Sequence, residues 1–349
     1  MPVGPRQRPA EMKPPARRAG QSVLAGDVGG TKTVLALYAP DAAGSPCTLR
    51  RRRFTSLDYQ GLAAMVDDFL EAGDDVAAAA FGLAGPVRDE RCHTTNLAWV
   101  IDAAEVARET GIPRVSLLND FCAAALGIGS LGTDDVAILQ QGEVDDAGPV
   151  AILGAGTGLG EALLVRTSAG PHAVASQGGH VDFAPRNELE MRLLAFLLKR
   201  YATVSVERVV SGLGLENIYE FLVTEGLAEA NPEIEAAIQQ GDAGSVIGSE
   251  ALRGGDRACV QAVDLFVSLY GAEAGNLALK ALASGGVYLA GGIAPKLLDK
   301  LRQGPFLESF LAKGRMRPVL ERFPVIVVLN QDVGLLGARA RALGLPGTP

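Results

Sequence analysis

A chain of 349 residues, 48% hydrophobic and 21% charged, carries enough apolar material for two cores and excludes wholesale disorder. A formal net charge of −8 argues against nucleic acid as a partner, because phosphate binding calls for a basic surface. The cysteines (Cys47, Cys92, Cys122, Cys259) form no Cys-x-x-Cys pair, the histidines (His93, His172, His180) build no zinc cluster, and no apolar run approaches the roughly 20 residues that span a bilayer.

Residues 1–20 are rich in Pro and Arg and lack an apolar signal core, so they read as a disordered basic tail on a cytoplasmic protein. Ordered structure is expected from Val23. VLAGDVGGTKTVLALYA reads as two strands around a tight glycine-rich turn, and TLRRRRFTS as a third strand with arginines at an exposed edge. Helical spacing of Leu62, Met65, Val66, Phe69 and Leu70 predicts an amphipathic helix from Tyr59 to Ala72. VAAAAFGLAGPV is a buried strand running into a turn, and Asp102 caps a short helix that ends near Thr110. VSLLND is a strand that finishes on two polar residues.

The pattern then repeats. VAILGAGTGLGEALLV is again strand, glycine-rich turn, strand. Asn187 and Glu190 form a capping box ahead of MRLLAFLLKR, and a long helix is expected from about Ala258 to Ala283. Gly271 and Gly275 within it mark a close approach of another backbone or of a ligand. VYLAGGI and VIVVLN are further strands, and VGLLGARARALG is a closing helix. This duplicated order predicts an α/β protein of two domains with a cleft between them. Residues 21–118 plus 333–349 make the small domain and residues 119–332 the large one.

Three glycine-bearing turns are candidates for binding phosphate. In Gly26-Asp27-Val28-Gly29-Gly30-Thr31-Lys32 the glycines let backbone N–H groups face an anion, Thr31 adds a hydroxyl, and Asp27 suits Mg²⁺ held through water. A plain hairpin turn is the simpler account of that segment alone. Gly154-Ala155-Gly156-Thr157-Gly158 repeats the device, so two loops could grip a triphosphate from both sides. Gly291-Gly292, after a buried strand, leaves room for a flat adenine or ribose. Between the loops stand Asn119 and Asp120 at a strand end. Phosphoryl transfer to an alcohol needs a carboxylate to take the hydroxyl proton, and Asp120 is placed for it; capping the following helix is the alternative. Alone, His180 is a structural histidine as readily as a ligand, and Glu207 beside Arg208 a surface ion pair.

The stretches GDVGGTK, GLAGPV, TNLAW, LLNDF, GAGTGLG, GGHVDFAP, SVERVVSGLGLENIY, LAGGI and GLLGA, in this order from about Val23 to Leu343, resemble the bacterial glucokinase family of the hexokinase and actin-like ATPase superfamily. The resemblance implies a two-domain actin-like fold of duplicated ribonuclease-H-like units, ATP with Mg²⁺, and transfer to the 6-hydroxyl of glucose as the first step of glycolysis. It also implies a homodimer. By motif position it assigns Asp120 as base and Asn119, His180 and Glu207 as sugar ligands. Gln177 stands where the family carries glutamate, keeping one acceptor while losing the charge; a kinase for mannose or an N-acetylated amino sugar, or a weakened sugar sensor, are the alternatives this raises. A DNA-binding repressor of the type needs a helix-turn-helix ahead of the first loop, where only 25 Pro-rich residues precede Gly26.

Overall fold

The computed structural model describes residues 22–94, 97–168 and 170–345. The expected basic tail, Thr95 and Asn96 of the TNLAW stretch, and residues 346–349 lie outside the described residues. In chain order the strands are β1 (Ser22–Val28), β2 (Lys32–Pro40), β3 (Pro46–Thr55), β4 (Val76–Leu83), β5 (Val87–Arg88), β6 (Arg91–His93), β7 (Val100–Asp102) and β8 (Val115–Asn119). They continue as β9 (Val136–Gln140), β10 (Val150–Ala155), β11 (Leu159–Thr167), β12 (Gly170–Ser176), β13 (Gly286–Ala290) and β14 (Val325–Val328).

Two large sheets repeat one plan. The first runs β3-β2-β1-β4-β8, the second β12-β11-β10-β13-β14-β9, and β5-β6-β7 is a small flap. In each large sheet an antiparallel meander (β1-β2-β3, β10-β11-β12) is continued by parallel strands (β4 and β8; β13 and β14). The two glycine-rich turns are the hairpin turns β1–β2 and β10–β11. β3 lies at the edge, as its arginines suggest, with Arg50 through Arg53 only half-buried or exposed.

Alternation along each strand sends side chains to two faces. Leu24, Leu35, Leu37 and Phe81 meet Leu62, Met65 and Val106 of the helices Leu62–Phe69 and Ala103–Thr110. The intervening Val23, Ala25, Ala36 and Ala80 meet Leu335, Ala338 and Ala342 of the closing helix Val333–Leu343. In the second sheet, Ala151, Leu153 and Leu289 face the long helix Arg257–Ala281, while Val150, Ile152, Ala162 and Leu164 face the helix Asp120–Gly127. The helix expected over Tyr59–Ala72 is shorter. Ser56–Asp58 forms a 3₁₀ turn, the Tyr59 hydroxyl donates to Asp68 at 2.5 Å, and Leu70 is already extended.

The helices Asp120–Gly127 and Val333–Leu343 cross between the two sheets without room for side chains. A methyl group on Gly127 would fall 1.9 Å from the Val333 carbonyl oxygen, and one on Gly337 1.6 Å from that of Ala123. The same logic resolves Gly271 and Gly275. Their neighbours are the Phe306 and Phe310 carbonyls, so the approach expected there is that of a second helix, Pro305–Leu311.

Candidate active site

Both glycine loops are closed by backbone hydrogen bonds of their own. In the first, the Gly29 amide donates to the Lys32 carbonyl (3.0 Å), and Ser56 ties the turn down by donating to the Gly29 carbonyl (2.7 Å). Gly26 has no space for a side chain, because the Phe81 ring of β4 fills it. Thr31 and Lys32 remain exposed. Asp27, in β1, faces the start of the closing helix, where a methyl group on Gly334 would fall 3.8 Å from its carboxylate. Burial pushes the Asp27 acid up, Lys32 opposes this, and Asp332 adds to it.

In the second loop, the Gly156 amide donates to Gly158 (2.8 Å) and the Gly156 carbonyl accepts from Gly212 (2.8 Å). Gly291, with φ +79, backs directly onto Ala155; only a glycine suits that combination of left-handed backbone and close contact. Gly156 and Thr157, together with Gly292, Ile293 and Lys296, form one wall of a cavity of about 850 Å³. Sequence reasoning missed the opposite wall, contributed by Glu216, Asp242, Ala243, Gly244, Ser245, Gly248, Ser249 and Leu252. The only signal there was Gly244, on which a methyl group would fall 3.0–3.4 Å from the Gly212 backbone, so that its lack of a side chain brings the helix Ala243–Arg253 up to the loop.

Asp120 begins its helix at the end of β8. The cap that sequence left open falls to its neighbour: Asn119 Oδ1 accepts from the amides of Phe121 (3.0 Å) and Cys122 (3.3 Å). The Asn119 side-chain NH₂ donates to Gly85 (3.2 Å) and to Asp120 Oδ1 (2.8 Å), and Oδ1 also accepts from the Phe121 amide (2.9 Å). Asp120 is thus held by one carboxylate oxygen. Burial raises its pKa to about 6, against the lowering effect of the Phe121 amide, with Asp27 contributing further upward pressure. Gly82 of β4 lies between the two segments: a methyl group on it would fall 3.8 Å from the Gly26 carbonyl oxygen and 3.9 Å from the Asp120 Cα.

The segment predicted to bind sugar forms beside it. Gln177 precedes a 3₁₀ turn over Gly178–His180, and both Gln177 and His180 are exposed. A short backbone ladder joins this turn to the Glu207 segment: Asp182 bridges Ser205, the Val206 amide donates to Val181 (2.9 Å) and Phe183 to Val204 (2.9 Å). His180 Nδ1 consequently stands 3.9 Å from Glu207 Oε1. Glu207 Oε2 accepts from the Leu159 amide (2.9 Å) and fills the place a side chain on Gly158 would take. Glu207 therefore contacts the second glycine loop as well as facing His180, while the Arg208 guanidinium lies over the Tyr201 ring, 4.3 Å from its centroid.

Two duplicated sheets with glycine loops in matching hairpins, a carboxylate between them and a large cavity behind the second define a kinase of the actin-like ATPase fold. A family model for glucokinase matches residues 24–344, and the chain belongs to that family. It is 45% identical over 332 residues to a glucokinase of Nostoc sp., covering 90% of this chain and 97% of the relative. It is 37% identical over 321 residues to one of Psychromonas ingrahamii, with 92% and 96% covered. Among solved structures it is similar to a glucokinase from an Antarctic psychrotroph, at 30% identity and a TM-score of 0.81 over 92% of this chain and 98% of that one. The fold is also that of a glucokinase from Streptomyces griseus in complex with glucose and AMPPNP, at 23% identity and a TM-score of 0.60 over 92% and 98%.

Proposed function

We propose that this chain transfers the γ-phosphoryl group of ATP to the 6-hydroxyl of glucose, with Asp120 as the general base. The observation that carries the reading is the placement of Asp120, anchored through one oxygen at the end of β8 and separated from the Gly26 end of the first loop only by Gly82, with burial raising its basicity. A carboxylate with a pKa near 6 accepts a proton better than an ordinary aspartate and is still ionised at neutral pH.

In this reading the 850 Å³ cavity takes the nucleoside, with Gly292 and Gly244 leaving flat walls and Glu216 and Lys296 offering polar ends. The Gly29 and Gly156 amides close their own turns, and the backbone amides that follow them, of Gly30 and Thr157, face the phosphates. Glucose lies against Gln177, His180, Glu207 and Asn119. The Asp120 carboxylate draws the proton from the 6-oxygen as that oxygen attacks phosphorus and ADP leaves. The amides and the Thr157 hydroxyl stabilise the transferring group without reorganising.

Magnesium fits the residues present. Asp27 supplies a buried carboxylate whose raised acid a cation would relieve, and no group of three or more acidic, histidine or cysteine ligands is assembled among the described residues. That suits an ion held to Asp27 through water and shared with the nucleotide's phosphates. When bound, it neutralises phosphate charge. Residues 21–118 with 333–349 and residues 119–332 are the two bodies that close on the substrates, and the contact of Gly127 with Val333 and of Gly337 with Ala123 is their pivot. A homodimer, a cytoplasmic location and a place at the entry of glycolysis belong to the same reading and are supported by the family alone. Among the described residues no helix is long and apolar enough to cross a membrane.

The test is a panel of sugars and phosphate donors on the purified protein, with product identified by mass and position. Glucose with ATP should give the highest kcat/KM and glucose 6-phosphate. Equal or better turnover of mannose or an N-acetylated amino sugar would overturn the substrate, and a kcat far below about 1 s⁻¹ at saturation would favour a sensor.

A further inference from the structure

Beneath the sugar-facing turn lies a carboxyl group that the proposed reaction does not use. Glu161 pairs with Ser176 across β11 and β12, and its side chain is 2% exposed. Its Oε2 occupies the space in front of Gly178, where an added methyl carbon would fall 1.8 Å away. Its buried Oε1 has no hydrogen-bond partner among the described residues. We infer that Glu161 is a positioning residue for the sugar-facing turn: its buried carboxyl seats Gly178 and so sets where Gln177 and His180 present themselves to the sugar. The inference rests on the reading of that turn as the glucose site.

The groups around Glu161 favour the neutral form. Opposite it on the helix Arg257–Ala281 stand Glu273, Lys280 and the fully buried Tyr270. Glu273 has its own partners, Asn276 donating to Oε2 at 2.9 Å and the Lys280 ammonium 3.8 Å from Oε1. Lys280 is therefore engaged with Glu273, and no donor among the described residues reaches Glu161 Oε1. Burial, then the Glu273 charge, push the Glu161 acid up to about 7, against the pull of Lys280. Ionisation would place an unsolvated charge at an oxygen without a donor, facing another carboxylate. The side chain would then swing away from Gly178 and release the turn. Above pH 7 the sugar site should loosen while the nucleotide cavity, formed by other segments, stays as it is.

Calorimetric titration of the full chain with glucose, and separately with ATP, from pH 6 to pH 9 tests this. Glucose Kd of the wild type should rise ~5–20-fold across that range, the scale of a displaced hydrogen-bonding segment. Glu161→Gln, which keeps the shape and the neutral state, should bind glucose as tightly as the wild type at pH 6 and show a flat profile to pH 9. Glu161→Ala should bind glucose weakly at every pH, and its ATP Kd should match the wild type. A Glu161→Gln profile that rises with pH as the wild type does would overturn the inference, as would an unchanged glucose Kd in Glu161→Ala. A wild type that binds no glucose at all would instead sink the functional reading beneath it.

Discussion

The Phe121 ring lies in the notch left by Gly160. A methyl group on Gly160 would fall 1.9 Å from Cε2 of that ring, and one on Gly154 2.9 Å from Cε1. The residue after the proposed base is thus clamped between the two strands that carry the second phosphate loop. Base and loop cannot shift independently, which is how a helix start in one sheet's last strand is held in register with the glycine turn of the other sheet.

Gly160→Ala should therefore act at two levels. Overpacking of this kind costs about 1–3 kcal/mol, so the melting temperature falls, and the displaced Phe121 moves Asp120 away from the phosphates. Phe121→Leu in the same chain should recover stability. A double-mutant cycle with no coupling between the two positions would show that the notch does not position the base.

Activity should carry an acid limb set by Asp120. Its folded pKa of about 6 lies above that of an ordinary aspartate, so the basic form is lost as pH falls through 6, and kcat/KM should drop about tenfold per unit below it. Stability runs the other way. A raised acid binds its proton more tightly in the folded state, so the contribution is present at low pH and is lost as pH rises from about 4 to about 6. Asp120→Asn should accordingly melt higher than the wild type at pH 8, by the equivalent of on the order of 1–3 kcal/mol, with the gap closing near pH 4. A variant that melts lower at pH 8 would contradict the burial argument.

His180 and Glu207 should separate in kinetics although they are 3.9 Å apart. In the proposed site His180 faces the sugar alone, so His180→Ala should raise the KM for glucose and leave that for ATP unchanged. Glu207→Gln also weakens the anchor of the Leu159 amide beside Gly158, so both KM values should rise. Equal patterns for the two variants would mean that Glu207 does not brace the phosphate loop.

Gln177→Glu restores a charged acceptor on the exposed turn. Replacing a neutral bond by a charge-assisted one is worth about 1–2 kcal/mol, so glucose should bind roughly tenfold tighter. Tighter binding of an N-acetylated amino sugar instead would identify Gln177 as the selector of a different hexose.

Much of this architecture was legible in the chain. The two hairpin turns announced themselves because glycine between apolar strands has few other uses, and the Asn187 cap appears as expected, its side chain accepting from the Glu190 amide at 3.0 Å. What stayed hidden depends on contacts distant in sequence. Asn119 and Asp120 are equally good caps by residue type, and only the backbone course at β8 decides between them. The wall from Asp242 to Leu252 carries no phosphate-binding pattern, being a ribbon of small residues that matters through its approach to Gly212. Glu161 reads as an ordinary strand carboxylate until β12 folds Gly178 over it. The pairing of His180 with Glu207 needs the ladder between Asp182 and Ser205, which no local pattern signals.

The most direct test of the account is the turnover of Asp120→Ala at saturating glucose and ATP, paired with its affinity for ATP. Loss of a general base predicts a kcat lower by about 10²–10⁴-fold, with ATP binding within about twofold of the wild type because the cavity and both loops are intact. A variant that kept a tenth of the wild-type kcat would show that Asp120 is not the base.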